Sequence, residues 1–145
     1  MKRVLFVILA GLIMVFIGYI ASFLLVCPTL NDIKAYSIKK EFSQMALPSE
    51  TEIIETSSFT GNINGNYVEI WAGVLIRSTL EPEEIFEYFS NYELIWPVPT
   101  DENQYPEPRS YMTFPYLSRN GDRTGCYIIA GHYKPITQFD IRRIN

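Results

Sequence analysis

NYVEIWAGVLIR, residues 66–77, carries an apolar side chain at every even position: Val68, Ile70, Ala72, Val74 and Ile76. Side chains alternate between the two faces of a strand, so this set predicts a β-strand with one fully buried face. The odd positions are different in kind. Tyr67, Glu69, Trp71, Leu75 and Arg77 mix aromatic, apolar and charged groups, which suits a face turned toward water or a partner.

Working outward toward the N-terminus, residues 61–66 (GNINGN) read as a turn, because Gly and Asn tolerate positive φ. Before them, Thr51 to Phe59 (TEIIETSSF) is rich in β-branched residues and reads as the preceding strand. Toward the C-terminus, Glu81-Pro82-Glu83-Glu84 opens a helix. Pro suits the first helical position and acids suit the positive end of the helix dipole. Ile85, Phe86, Tyr88, Phe89 and Tyr92 fall on one arc of it, opposite Glu83, Glu84, Glu87, Ser90 and Asn91, as expected of a helix covering a sheet.

Leu94 to Val98 reads as a short strand, and Pro99 to Pro108 (PTDENQYPEP) as an acidic, Pro-rich loop. Ser110 to Leu117 and Arg123 to Tyr133 read as strands joined by a turn at Asn120-Gly121, with a last strand over Ile136 to Ile144. Hairpins around one covering helix indicate an α+β domain with a largely antiparallel sheet.

The other end of the chain is of another composition. Residues 4–26 read VLFVILAGLIMVFIGYIASFLLV, without a charge. At about 1.5 Å per residue the run spans about 34 Å, enough for a hydrocarbon core of about 30 Å. A helix apolar on every side needs more protein around it than the rest of the chain supplies, so a transmembrane helix is expected. The apolar run continues past Ile20-Ala21-Ser22, the nearest small-residue cleavage site, which favours an uncleaved signal-anchor. Leu24-Leu25-Val26-Cys27 has the outline of a lipobox, but Val26 stands where a small residue is needed.

Lys2 and Arg3 abut the apolar run, while Lys34, Lys39 and Lys40 follow it. A basic pair opening a first hydrophobic segment stays in the cytoplasm as a rule, so the domain is expected outside it. Pro28 is the first residue past the run; residues 30–46 then have helical spacing, with Ile38, Phe42 and Met45 on one stripe, until Leu47-Pro48. The expected organisation is a transmembrane signal-anchor over 1–27, a juxtamembrane helix or stalk over 28–48, and an α+β domain over 49–145.

The order of anchor, polar strand, Gly/Asn turn, apolar strand, Glu-Pro-Glu-Glu helix and a closing Ile136-Thr137-Gln138-Phe139-Asp140-Ile141-Arg142 resembles small uncharacterised membrane-anchored proteins of Gram-positive bacteria. The resemblance covers most of the chain. It implies this architecture and supplies no activity and no site residues.

Charge narrows the function classes. The whole chain has 12 Lys and Arg against 16 Asp and Glu, which argues against a nucleic-acid partner. Acids crowd the stretch from Glu41 to Glu107 and bases the stretch after Arg109, as if the two neutralise each other in one fold. Two cysteines, Cys27 and Cys126, do not make a disulfide framework; Cys27 lies at the membrane boundary, so a bond between them would require the domain to sit directly on the bilayer.

Candidate chemistry is sparse. His132 is the lone histidine, so a histidine-rich metal site is excluded. Cys126 and His132 suggest a nucleophile and base, but on one strand they stand about 20 Å apart at about 3.3 Å per residue. Glu83, Glu84 and Glu87, with Asp101, Glu102 and Glu107, lack the alternating spacing of a calcium loop and read as solvated. Leu47-Pro48-Ser49-Glu50-Thr51 matches a sorting signal by letters but lacks its Gly and its hydrophobic tail. No phosphate loop, nucleophile elbow, cofactor or metal motif occurs.

Aromatics carry the better hint. Tyr67 and Trp71, with Tyr111, Tyr127 or Tyr133, are candidate partner-binding residues for a protein, peptide or glycan, since Tyr and Trp offer area plus a polar handle. The expected function is a membrane-tethered, non-enzymatic binding or accessory module. Its alternatives are an enzyme accessory with a carboxylate site, or a structural or regulatory subunit whose membrane helix packs on another protein through Gly11 and Gly18.

Overall fold

In the computed structural model, which describes residues 2–62, 67–101, 112–119 and 122–144, the apolar run and the segment after it form one unbroken helix. It runs from Lys2 to Ser43 and is long and apolar enough to cross a membrane. Its parts are α1 (Lys2–Ala21), a π-helical turn (Ser22–Val26) and α2 (Cys27–Ser43). The membrane helix and the following helix, expected as separate elements on either side of Pro28, are continuous. Proline removes one N–H and crowds the carbonyl four residues back, here Leu24. The π turn absorbs this locally: the Cys27 N–H bonds Ser22 O, five residues back, and the helix continues.

α2 joins the core of the domain. Asn31, Ala35, Ile38 and Phe42 are buried on one stripe against the sheet, and α1 has no buried residue. Residues 28–43 are therefore the first element of the folded unit rather than a free stalk.

The sheet has four antiparallel strands in the order β1-β2-β4-β3: β1 (Thr51–Asn62), β2 (Val68–Ser78), β3 (Leu94–Pro97) and β4 (Cys126–Tyr133). The α+β class read from the sequence is what is observed. In β2, Val68, Ile70, Ala72, Val74 and Ile76 are all 0% exposed, as the alternation requires. Ile70, Ala72, Val74 and Ile76 pack with α2 and α3 (Pro82–Tyr88), together with Tyr127 and Ile129 of β4. α3 starts with a reciprocal capping box between Glu81 and Glu84. It is shorter than its expected apolar arc. Ile85 and Phe89 are fully buried, whereas Phe86 and Tyr88 are 40% and 45% exposed.

The opposite face is also covered around Leu75, which corrects the expectation of an outward-facing odd side over that stretch. Leu75 is 0% exposed, packed with Ile128, Val98, Met112, Phe114 and Leu117. The covering segment was expected as a strand over 110–117; it instead ends in a short helix, α4 (Pro115–Arg119). Pro115 cannot donate to a strand ladder but suits a first helical turn. Glu55, re-aimed by the β-bulge between Ile53 and Glu55, accepts the Tyr116 N–H at 3.1 Å. Arg123, 4% exposed, ties the segment down through Leu117 O and Asp101 O, both at 3.3 Å.

β4 is shorter than the 123–133 expected, because Gly125 (φ 65) turns the chain immediately before it and lets Ser78 N donate to Gly125 O at 2.9 Å. The expected strand over 136–144 is absent among the described residues; Ile141–Ile144 is a 3₁₀ turn. A side chain replaces the ladder there. The Gln138 amide accepts from Val68 N (2.8 Å) and donates to Val68 O (2.9 Å), as a neighbouring strand would. The turn at Asn120-Gly121, residues 63–66 and most of the acidic loop lie outside the described residues.

Candidate functional site

The aromatic candidates among the described residues do not share a face. The register pairs odd residues of β2 with even residues of β4, so Trp71 meets His132, while Tyr127 meets Ile76 and Tyr133 meets Ile70. Tyr127 (6% exposed) and Tyr133 therefore lie beneath the helices, where Tyr133 meets Phe42 edge-on at 6.5 Å. Burial pushes both phenols above their ordinary pKa. Joining them to Trp71 in one binding face is thus corrected: the sheet itself separates them. Tyr111 lies outside the described residues.

What remains on Trp71's side is a small aromatic and acidic patch. Phe59 of β1, Trp71 of β2 and His132 of β4 stand in one row across three strands. Trp71 and His132 stack, centroids 5.1 Å apart and planes at 27°. Glu69, one step along the same face, places Oε1 3.6 Å from His132 Nε2, with side chains 17% and 34% exposed. β3 ends its pairing at Ala130, so the His132 N–H has no strand partner and donates to Glu93 Oε2 at 3.0 Å. Tyr67, just before β2, is 59% exposed. A flat stacked pair flanked by carboxylates suits contact with a planar or cationic group.

Cys126 stands at the opposite end of β4 from His132, paired with Arg77. Burial pushes its thiol pKa up, and neighbouring Arg77 offsets this only in part, so it is not an activated thiolate. Arg77 itself is engaged with Tyr116 Oη, with Asp122 at 3.3 Å and with Glu52 at 3.7 Å. Its own pKa is raised, chiefly through the Tyr116 bond. The acids of α3 are exposed, and Glu84 is occupied with the Glu81 N–H at 3.1 Å. No group of three or more His, Cys, Asp or Glu side chains is placed to hold a metal among the described residues.

A second polar cluster, not foreseen in the sequence, lies where α2 meets the C-terminal segment. Asn31 and Asp140 are both 0% exposed. Asn31 Nδ2 donates to Thr137 O (3.0 Å) and Asp140 Oδ2 (2.8 Å), and its Oδ1 accepts from Ile136 N (2.9 Å) and Thr137 N (3.2 Å). Every hydrogen-bonding position of that amide is used. Arg142 grips Asp140 with two nitrogens, Nε at 3.0 Å and Nη2 at 2.7 Å, and also reaches Asp32 and Pro28 O. Burial alone would raise the Asp140 pKa, but the bonds from Arg142 and Asn31 outweigh it and hold the carboxyl below its ordinary value. Partners more than a hundred residues apart leave no local signal in a sequence.

No family model, curated protein or solved structure matches this chain, so the resemblance noted above rests on the residues quoted for it.

Proposed function

We propose that this chain is a membrane-tethered, non-enzymatic binding module whose domain lies outside the cytoplasm. Its partner would be met through the patch of Tyr67, Glu69, Trp71 and His132. The observation that carries this reading is the unbroken helix Lys2–Ser43, unburied and apolar in its first half and built into the domain core in its second. A domain fused to its anchor in this way is held at a set distance and orientation from the bilayer, which suits presentation of a surface more than diffusive catalysis.

The test has two arms. Full-length protein purified in mild detergent from its own cells should carry a stoichiometric companion that Tyr67→Ala with Trp71→Ala removes and Tyr88→Ala retains. A companion indifferent to the double substitution would overturn the assigned surface. For topology, Ser90→Cys on a Cys27→Ser, Cys126→Ala background should react with a membrane-impermeant maleimide on intact cells. Reaction only after permeabilisation places the domain in the cytoplasm and overturns the orientation.

A further inference from the structure

We infer that the C-terminal segment 134–141 is a second membrane contact, which seats the base of the domain on the lipid surface. The inference rests on the tether proposed above and adds to it a lipid-contacting site in the folded domain. Phe139 carries the argument. Its ring packs on Tyr19 at 4.9 Å and on Phe23 at 4.8 Å, two residues inside the charge-free apolar run that ends at Val26. Tyr19 lies seven residues before Val26, about 10 Å along the helix axis at about 1.5 Å per residue. If residues 4–26 occupy the hydrocarbon core, the Phe139 ring sits between the levels of Phe23 and Tyr19, about 5–10 Å inside the headgroup–acyl boundary.

The neighbours of Phe139 fall at matching depths. Asn31 holds Ile136 N about 7 Å above Val26 along the helix, and Pro28 O holds Arg142 about 3 Å above it. Both heights lie within a headgroup layer about 5–8 Å thick. At these heights the chain presents Ile136, 54% exposed, and Ile141, 41% exposed. Two branched aliphatic side chains facing water on either side of a half-buried Phe have no covering element among the described residues. An interfacial bilayer covers all three at once, as it does the apolar face of a monotopic segment.

Charge agrees with this placement. The Lys34 ammonium, on a residue about 12 Å above Val26, bonds Lys134 O at 2.7 Å, and Lys134 is exposed, so two cations stand just beyond the headgroup layer, where anionic phosphates attract them. The Asn31–Asp140–Arg142 cluster gives the segment its rigidity. Because that cluster is fully bonded within the protein, Phe139 is presented in place and no ordering of the loop is needed on contact.

The experiment uses full-length protein reconstituted in phosphatidylcholine–phosphatidylglycerol vesicles, labelled with an environment-sensitive fluorophore at single cysteines on the Cys27→Ser, Cys126→Ala background. Four positions are compared: Ile136→Cys, Ile141→Cys, Leu12→Cys in the apolar run, and Tyr88→Cys on α3. Lipids carrying a nitroxide high on the acyl chain should remove most of the emission at positions 136 and 141. Deep nitroxides should do so at position 12, and neither at position 88. Quenching at 12 with none at 136 and 141 would overturn this inference and leave the tether standing. Absence of quenching at 12 would overturn the tether and this inference with it.

Discussion

The two halves of the helix Lys2–Ser43 share a backbone and almost nothing else. α1 is apolar on every side and buries nothing, whereas α2 is largely polar and buries Asn31, Ala35, Ile38 and Phe42. Burial in this molecule therefore follows from what packs against a helix, not from how apolar the helix is. α2 needs only a stripe at i, i+4, i+7 to join a core, because the even face of β2 supplies the other surface. α1 buries no residue against the described protein, and it is long and apolar enough to cross a membrane.

The strongest way to break this contrast is to cut the chain between its parts. A fragment from Cys27 to the end keeps the α2 stripe and should unfold in urea as one cooperative transition. A fragment from Ser49 loses Ala35, Ile38, Phe42 and Asn31, and should show no such transition. A cooperative Ser49 fragment would demote α2 to a stalk.

Next in size are single truncations in the helical core. Phe42→Ala and Phe89→Ala each remove a buried ring, 3% and 0% exposed, and should cost about 3–5 kcal/mol in the Cys27 fragment. Phe86→Ala, from the exposed part of the same arc, should cost well under half as much. Equal losses at positions 86 and 89 would mean that α3 is turned differently on the sheet.

Asp140→Asn should cost about 3 kcal/mol at neutral pH, since it strips the Arg142 guanidinium of its bidentate partner. The same residue makes stability depend on acid in a set direction. Its folded pKa is lowered, so its contribution is complete above the unfolded value near 4 and disappears as pH falls through the lower folded value. Urea midpoints measured from neutral pH down to about 2 should therefore drop more steeply in the native protein than in the variant. Parallel curves would show that Asp140 is not charged in the fold. The smallest effect belongs to Glu87→Ala on the exposed side of α3, expected within about 0.5 kcal/mol by the same unfolding measurement.

What the sequence made legible was whatever repeats over a short distance. The period of two in residues 66–77 located the buried face of β2, and an apolar run too long for a small domain's core located the candidate span. Register is a different matter. Nothing local says that Trp71 will stand beside His132 rather than Tyr133, and a slip of one residue moves every side chain of β4 to the other face. The aromatic site lost half its members for that reason alone.

The continuity of the helix through Pro28 was not legible either, since the usual effect of proline is taken up there by one wide turn. The last segment, 136–144, has the alternation of a strand. It is held instead by Gln138 acting as a strand edge and by Asn31 from the far end of the chain.

The π turn at Ser22–Val26 has a mechanical corollary. A helix without a hinge transmits torque as well as position, so rolling α1 about its own axis swings the whole domain like a crank arm. One residue inserted or removed in this turn would re-index the two halves by about 100°, the angle each residue contributes to a helix. The wide turn thus sets the azimuth of the Trp71 patch relative to every side of α1, that of Gly11 and Gly18 included.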